Sequence, residues 1–241
     1  MGDLPDHTRE MVLKGAAGFT GLEELAARLG SIVPWDVKGN IVLMEDFESE
    51  ETEWISSCDA LGSTAARSSR HKYSGDWACK LYAVGNIAAY AAYYRYFHFP
   101  GTSKYAAFAR LCWAGSNVKN SLGVTLQDGT KEYYAEVVYD LLTPETLKVL
   151  STGGAYHDVS TTLKIRPDQY AWIPVLFTFN LDTGYYDKLY FGDYEYDISD
   201  VPLYVEEAGY DPQGLVSVGA KGQVTEFSTY VDDIIIAKNV P

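Results

Sequence analysis

Apolar and polar residues alternate with a period of two from Ile41 to the end of the chain. This pattern is typical of β-strands that bury one face and leave the other on the surface. It predicts strands at Ile41–Phe47, Thr64–Ser68, Trp77–Val84, Ala88–Phe99, Tyr105–Trp113, Ser121–Gln127, Glu132–Tyr139, Lys148–Ser151, Val159–Ile165, Ala171–Asn180, Tyr186–Phe191, Tyr194–Ile198, Leu215–Ala220 and Ser228–Ala237. Turn signals such as Asp128-Gly129 and Gly192-Asp193 separate them. Many short strands without interleaved helices predict an all-β protein, a two-sheet antiparallel sandwich.

The phase of the alternation predicts which faces are buried. In Ala171–Asn180 the odd positions, including Ile173, Val175 and Phe177, form one continuous apolar face, whereas the even positions are mixed. The run from Tyr93 to Phe99 is aromatic on both faces. Tyr94, Tyr96 and His98 share one face, and Tyr93, Arg95, Phe97 and Phe99 share the other. We expect such a strand in a sheet whose outer face is itself covered or used.

The first 40 residues follow a different pattern. Residues 1–18 are polar, rich in glycine and without periodicity, which predicts an extended arm. Thr20 and Glu23 have the spacing of a helix capping box, and Leu22, Leu25 and Leu29 fall on one helical face before Gly30. The pattern predicts a short assembly helix whose apolar stripe docks on its own domain or on a neighbouring subunit. We therefore divide the chain into an arm and helix, residues 1–40, and one sandwich domain, residues 41–241.

Composition and charge exclude several classes of function. The 241 residues carry 19 Lys and Arg against 33 Asp and Glu, a net charge of -14. Binding to nucleic acid or to anionic membranes requires clustered cations, so neither is expected as a partner. The N-terminal sequence lacks the apolar segment of a secretory signal peptide.

Three cysteines occur at wide spacing, which is not a disulfide framework. Cys79 and Cys112 alternate with apolar residues and are predicted to be small buried thiols. The alternative is one disulfide and one spare thiol among Cys58, Cys79 and Cys112.

Three segments, in their order along the chain, carry a resemblance to a known superfamily. They are Glu45-Asp46-Phe47-Glu48 followed by Trp54, Tyr73-Ser74-Gly75 leading into Trp77–Leu81, and Tyr230–Ile236 with Asp232-Asp233. The hairpin from Trp172 to Gly192, with Asp182, Gly184 and Tyr190, adds to them. Together they resemble the concanavalin A-like jelly rolls, which include laminin-G-like domains and many carbohydrate-binding modules. The resemblance implies a jelly-roll β-sandwich over residues 41–237, with its first and last strands side by side.

The same resemblance implies a structural Ca²⁺. Asp232 would be its ligand, with Glu48 or Glu45 as partner, because hard oxygen ligands suit this ion. The alternative is that Asp232 and Asp233 sit at a strand start, one hydrogen-bonded to loop amides and the other solvated. No other cofactor is expected.

The sequence shows no recognisable catalytic motif. The alternating acids of Asp193–Asp197 do not follow the order found in the glucanases of this superfamily, and a charged, solvated edge strand is the preferred interpretation. His7, His71, His98 and His157 lie in no nucleophile or zinc motif. The sequence therefore predicts a protein that is not an enzyme, with a glycan hydrolase or lyase as a remote alternative.

Aromatic residues are the remaining functional signal, since they make up 14% of the chain. Buried tyrosines need hydrogen-bond partners, so part of this set is expected on the surface. Such a face would stack on sugars or form a protein interface; cross-strand aromatic ladders are the structural alternative. The candidate ligand-binding residues are Tyr94, Tyr96, His98, Arg110, Tyr134, Trp172 and Tyr186.

Two hypotheses of function follow. The segment from Gly21 through Glu45-Asp46-Phe47 resembles the opening of phage structural proteins, which implies a role outside a self-assembling particle. We expect a phage capsid decoration protein or another virion protein, with copies of itself or a capsid protein as partners. It would be located on the virion surface or be extracellular. The alternative is a carbohydrate-binding module or lectin that recognises a polysaccharide.

Overall fold

The computed structural model describes residues 39–49, 53–59, 61–86, 88–113, 119–140, 145–161, 171–221 and 226–241. The predicted arm and the predicted helix with Leu22, Leu25 and Leu29 lie outside the described residues. Within those ranges, no helix is long and apolar enough to cross a membrane.

Two antiparallel sheets of eight strands each form a sandwich. The strands, in chain order, are β1 Asn40–Glu45, β2 Ile55–Cys58, β3 Thr64–Ser68, β4 Ala78–Ala83, β5 Tyr90–His98, β6 Lys104–Trp113, β7 Lys119–Gln127, β8 Lys131–Asp140, β9 Thr146–Ser151, β10 Ala155–Ser160, β11 Trp172–Asn180, β12 Tyr185–Phe191, β13 Tyr194–Asp197, β14 Tyr204–Glu207, β15 Gln213–Lys221 and β16 Phe227–Lys238. Sheet A has the order β13-β12-β11-β6-β16-β4-β3, with β1 also paired to β16. Sheet B has the order β10-β9-β8-β7-β15-β5-β2, with β14 also paired to β8. The predicted all-β, two-sheet antiparallel architecture is confirmed.

The strand predictions hold with three exceptions. The four-residue strands β2 and β14 were not predicted. The predicted strand Val159–Ile165 shares only Val159 and Ser160 with β10, Ala155–Ser160, and its residues 162–165 lie outside the described residues. A 3₁₀ turn at Thr152–Gly154 joins β9 to β10, where Gly153 and Gly154 both take positive φ. The glycine pair therefore turns the chain as predicted, but the next strand begins at once after it.

The core lies between the inward faces of the two sheets. Along β11, Ile173, Val175, Phe177 and Phe179 are buried in the main hydrophobic cluster, as the alternation predicts. Burying a side chain of this size stabilises the fold by about 1.5–3 kcal/mol relative to leaving it exposed. The phase of β11 thus fixes which face of sheet A meets sheet B.

Strand β16 is the centre of sheet A. It pairs with β6 on one side and with β4 and then β1 on the other, so the first and last strands lie side by side as the resemblance implied. The register with β6 shifts between Asp232 and Ile235, and Asp233 has φ of 51°. This bulge places both carboxylates away from the core between the sheets.

Candidate functional site: a tyrosine-lined groove on sheet B

The outer face of sheet B collects the aromatic residues of β5. Tyr93 and Phe97 point inward to the core. Alternation therefore turns Tyr94, Tyr96 and His98 outward, where Tyr94 is partly exposed and the other two are exposed. The predicted division of this strand into two faces is confirmed.

Cross-strand register extends this face over the sheet. Tyr94 lies beside Ser217, which lies beside Gly123. In the next row, the residues side by side from β5 to β14 are Tyr96, Leu215, Thr125, Tyr134 and Tyr204. The tyrosines therefore stand on β5, on β8 and on β14, with small or short side chains between them on β15 and β7. We call this surface the sheet B groove.

The floor of the groove is low because two of its positions are glycines. A Cβ atom on Gly123 would lie 2.9 Å from Oγ of Ser217, and one on Gly219 would lie 2.8 Å from Oγ of Ser121. Larger residues would displace these hydroxyl groups or fill the space above them. The serines thus present hydroxyl groups at the bottom of the groove.

Two cavities open along the groove. The first has a volume of about 230 Å³ and lies between Tyr90 and Tyr156, over Ser121 and Gly219. The second, about 130 Å³, is lined by Tyr96, Thr125, Gln127, Glu132, Gln213 and Leu215. Both combine aromatic or aliphatic walls with a few polar groups, which is the composition expected of a small-molecule or sugar site.

Hydrogen bonds fix the orientation of the tyrosine rings. The rings of Tyr134 and Tyr204 stack with centroids 5.0 Å apart, and both hydroxyl groups donate to Glu206. The Tyr156 hydroxyl donates to Oε2 of Glu136 at 2.7 Å. Burial, together with neighbouring carboxylates, raises the pKa of Tyr134 and of Tyr156 above the usual value, so both phenols stay neutral donors.

A chain of amide hydrogen bonds crosses the end of the groove near the second cavity. Nε2 of Gln213 donates to Oε1 of Gln127 at 2.8 Å, and Nε2 of Gln127 donates to Oε1 of Glu132 at 2.7 Å. These three side chains hold one another in place. Their remaining donor and acceptor positions are oriented before any ligand arrives.

Charges of like sign face each other at the two ends of the groove. Lys221 is the cross-strand neighbour of Lys119 at one end, and Glu206 is the cross-strand neighbour of Glu132 at the other. Like charges directly opposite each other destabilise a sheet, so neither pair is explained by sheet stability.

Four of the predicted ligand-binding residues meet in this groove, but three do not. Tyr94, Tyr96, His98 and Tyr134 lie on the outer face of sheet B. Trp172 is half-buried on the other sheet, where its ring makes an edge contact with Tyr73 at 6.0 Å.

Tyr186 was placed on an outer face by its position in an alternating strand, and this placement is wrong. The side chain is 2% exposed and lies in the core. Its hydroxyl group donates to the Leu150 carbonyl at 2.8 Å and accepts the Glu136 N–H at 3.0 Å. Tyr186 therefore reaches from sheet A to the backbone of sheet B, and the neighbouring Tyr185 is the exposed residue.

Arg110 is not a surface clamp either, because it is 4% exposed. Its Nε donates to Oδ2 of Asp233 at 2.8 Å, and the ring of Tyr73 covers its guanidinium group at 3.6 Å. A sequence pattern could not reveal this pairing, since Asp233 lies far from Arg110 in the sequence, on the neighbouring strand β16. The cation balances a buried carboxylate.

The predicted metal ligands hold a turn. Asp232 accepts the N–H groups of Tyr73 and Ser74 through Oδ2, at 2.9 and 3.2 Å, and that of Asp233 through Oδ1 at 2.9 Å. Glu48 accepts the N–H groups of Asp76 and Trp77 through Oε1, both at 2.8 Å. The two carboxylates thus clamp the turn 73–77 from two sides.

Glycine is required within that turn. Gly75 has φ of 57°, and a Cβ atom there would lie 2.3 Å from Oε1 of Glu48. Neither predicted description of the acid pair is right in full, because Asp232 and Asp233 lie inside β16 and both are buried. Asp233 accepts from Arg110 and from the Ser74 hydroxyl group instead of facing solvent.

The described donors do not favour a cation at this position. The Asp232 oxygens already accept three N–H groups, and the nearby guanidinium of Arg110 would repel a metal ion. The alternative partner Glu45 accepts from Phe47, Trp54 and Arg95. Within the described part of the chain, no group of three or more His, Cys, Asp or Glu residues could hold a metal ion. The Ca²⁺ site stays a prediction.

Within the acidic run Asp193–Asp197, Tyr194–Asp197 form the edge strand β13, and Asp193 lies in the turn before it. Strand β13 is the terminal strand of sheet A, and Glu195 pairs with Lys188 of β12 at 2.5 Å. Its charges lie far from the groove in the sheet order and protect an edge.

The predicted thiols are free in the structure. Cys79 and Cys112 are buried and Cys58 is half-buried. Burial raises the pKa of Cys112 to about 12 and that of Cys79 well above its usual value. These two cysteines act as small core residues.

Sequence reasoning missed several residues of the groove. Tyr204 belongs to the unpredicted strand β14, and Tyr156 belongs to the part of β10 that precedes the predicted strand start at Val159. Lys119 and Lys221 extend β7 and β15 beyond their predicted ends. The available signal was the alternation itself, which continues through Lys221 and through Lys119.

Comparisons with known proteins place the fold but not the family. No family model matches the chain, and no curated protein matches it closely enough to count as a relative. The similar solved structures include an endo-β-1,4-glucuronan lyase from the fungus Trichoderma reesei, with a TM-score of 0.53, 10% identity and coverage of 83% of this chain and 96% of that one. A second similar structure is a carbohydrate esterase from the Shiga toxin-encoding bacteriophage phi24B. It has a TM-score of 0.53 and 14% identity, and the match covers 84% of this chain and 100% of that one.

A third similar structure is the lectin UEA-II complexed with galactose, with a TM-score of 0.51, 10% identity and coverage of 83% of this chain and 100% of that one. At these identities the likeness concerns the fold alone. The chain therefore has the fold of these three proteins, which in this chain is a two-sheet antiparallel β-sandwich.

Proposed function

We propose that this protein binds a polysaccharide in the sheet B groove. The observation that carries the proposal is the placement of tyrosines on both sides of a floor of glycine and serine. Tyr94 and Tyr96 stand on one side, and Tyr134 and Tyr204 stand on the other. Polysaccharide binding, the alternative predicted from the sequence, explains the sheet B groove, whereas the particle-surface role does not.

The chemistry of the groove suits a sugar. Aromatic rings offer apolar faces to the C–H groups of a pyranose, while their hydroxyl groups remain available for hydrogen bonds. The oriented amides of Gln127 and Gln213 and the hydroxyl groups of Ser121 and Ser217 supply donors and acceptors between the rings. A groove open along its length would take a chain and not only a single sugar ring.

The names of the similar structures support a function in carbohydrate binding. One is a lectin solved with galactose, and two are enzymes whose names refer to a polysaccharide or a carbohydrate. The fold is therefore used for carbohydrates in several settings. We assign binding and not catalysis to this chain, because the polar side chains Gln127, Gln213 and Glu206 hold one another or the tyrosine rings in place.

Binding can be tested by affinity electrophoresis against a panel of polysaccharides. Tyr94→Ala and Tyr134→Ala should each weaken binding about tenfold, which is about 1.4 kcal/mol, because each removes an aromatic wall. Tyr185→Ala is the matched control, since Tyr185 is an exposed tyrosine on sheet A. It should bind like the wild type.

The variant Trp172→Ala tests whether the ligand binds the outer face of sheet A instead of that of sheet B. Trp172 was predicted as a ligand-binding residue and lies on sheet A. A loss in this variant with no loss in Tyr94→Ala would move the site away from sheet B. If the wild type binds no polysaccharide in the panel, the proposal is wrong. Release of new reducing ends or unsaturated ends during incubation would show an enzyme instead.

The particle-surface role stays a prediction. Its sequence basis lies in residues 1–40, nearly all of which are outside the described residues. Copurification of the full chain with particle proteins, or its self-association by light scattering, would test it. A protein on a particle could still bind glycans, so the two roles are compatible.

A further inference from the structure

The larger cavity of the sheet B groove contains a pair of lysines. Lys119 and Lys221 line it together with Tyr90, Glu136 and Tyr156. The two lysines are direct cross-strand neighbours on β7 and β15. Their side chains leave the same face of the sheet, because cross-strand partners point the same way.

The charges around this pair are only partly balanced. Asp140 approaches Lys119 at 3.7 Å, a long ion pair, and the ammonium group of Lys119 lies 5.7 Å from the centre of the Tyr156 ring. Glu136 is engaged by the Tyr156 hydroxyl group. Lys221 is exposed and forms no salt bridge with any described residue. Two cations therefore meet at the cavity, with Asp140 beside Lys119 and a second acid, Glu136, in the cavity lining at the Tyr156 hydroxyl group.

The two neighbouring lysines lower the stability of the sheet unless an anion lies between them. Like charges directly opposite each other on a sheet repel. Asp140 does not offset this repulsion at Lys221, because Lys119 lies between Lys221 and Asp140 across the strands. A ligand that brings one negative charge between the ammonium groups would remove the repulsion and add charge-assisted hydrogen bonds.

We propose that the larger cavity of the groove takes an anionic substituent of a glycan, a carboxylate or a sulfate on a sugar ring, between Lys119 and Lys221. This inference rests on the proposed polysaccharide binding and names its substrate class. The net charge of -14 opposes a polyanion at long range, so the attraction has to come from this local pair. The Tyr90 and Tyr156 rings would flank the sugar that carries the anion.

The test compares polymers that differ only in charge. Polygalacturonate and its full methyl ester share one backbone, and dextran sulfate and dextran form a second pair that distinguishes sulfate from carboxylate. We expect the wild type to bind the acid form of at least one pair about tenfold more tightly than its neutral partner at low salt. Because this preference is electrostatic, it should shrink as the salt concentration rises.

Lys119→Gln and Lys221→Gln should each reduce the preference for the charged polymer over its neutral partner several-fold. Lys131→Gln is the matched control, because Lys131 is an exposed lysine at the far end of β8. It should keep the wild-type preference. Thermal melting of each variant verifies that it is folded.

The outcomes distinguish the two claims. Equal binding of charged and neutral polymers in both pairs would overturn the anionic site and leave polysaccharide binding in place. A preference that survives in both Lys119→Gln and Lys221→Gln would mean that the anion binds elsewhere. If the wild type binds neither charged nor neutral polymers, the proposed function fails and this inference fails with it.

Discussion

At the scale of single residues, the acids of this protein show how position decides what a carboxylate does. Glu195 pairs with Lys188 on an edge, Glu206 orients two tyrosines in the groove, and Asp232 is buried with three N–H groups around it. The sequence singled out Asp232 and Glu48 as metal ligands, and in the structure both hold a turn. Their partners are backbone N–H groups in a turn distant in sequence, so residue types alone could not show what they hold.

Asp232 should make the stability of the fold depend on pH. Burial, and next the neighbouring Asp233, raise the pKa of Asp232 to about 8 from its usual value of 3.8. Between these values the folded protein holds a proton that the unfolded chain releases, so stability falls as pH rises from about 4 to 8. One such proton changes the free energy of unfolding by up to about 1.4 kcal/mol per pH unit.

Urea unfolding from pH 5 to 8.5 in the wild type and in Asp232→Asn tests this expectation. The variant should be less stable at pH 5, since an amide group cannot accept all three N–H groups, and its stability should depend less on pH. His71 titrates in both proteins, so the difference between their slopes reports Asp232 together with its coupled neighbour Asp233, whose pKa is also raised by burial. Parallel slopes would show that Asp232 is ionised throughout.

At the scale of elements, long strands were predictable and short edge strands were not. β5, β11 and β15 each have nine residues, enough for alternation to be distinct from chance. β2 and β14 have four residues each and are largely exposed, so they have no clear alternation. They form because β5 and β8 offer backbone N–H and C=O groups for pairing. The position of these neighbouring strands cannot be deduced from the short segments themselves.

Gly214 in β15 illustrates how one element fits against the next. It lies beside Phe97 of β5, and a Cβ atom on Gly214 would lie 2.3 Å from the Phe97 ring. Gly214→Ala should therefore destabilise the fold by about 1–3 kcal/mol, because the ring has to leave its place against the core. Gly209→Ala is the control, since nothing lies within 4 Å of its Cβ position. Chemical denaturation measures both; equal stability would mean that Phe97 moves at no cost.

At the scale of the whole molecule, polar contacts join the two sheets across the core. The Tyr186 hydroxyl group of sheet A bonds to the backbone of sheet B, and Oγ1 of Thr229 donates to Oδ1 of Asn120 at 2.6 Å. Such contacts fix how the sheets sit on each other, beyond what apolar packing does. The Tyr186 contact depends on the phase of β12, which turns Tyr186 into the core although the sequence pattern predicted it on the surface.

Tyr186→Phe should lower the free energy of unfolding by about 1–3 kcal/mol, because the Leu150 carbonyl and the Glu136 N–H would lose a buried partner. Tyr185→Phe removes the same atom from an exposed neighbour and should have almost no effect. Calorimetry or urea unfolding compares the two. If both variants melt like the wild type, water or a rearranged side chain replaces the lost hydroxyl group.

The fold and part of the groove could be predicted from sequence because they depend on periodicity and on the order of short motifs. The rest depends on register between strands far apart in the chain. Gly123, Ser217 and Tyr94 lie side by side only because β7, β15 and β5 are neighbours in sheet B. No local pattern specifies that order.

The unlike ends of the groove give it a direction. Lys119 and Lys221 stand at one end, and Glu132 and Glu206 stand at the other, with the tyrosines between them. A polysaccharide also has a direction, since its reducing end and its non-reducing end differ. A chain seated in the groove would therefore run one way only, so every bound copy of this protein would point along the polymer in the same sense.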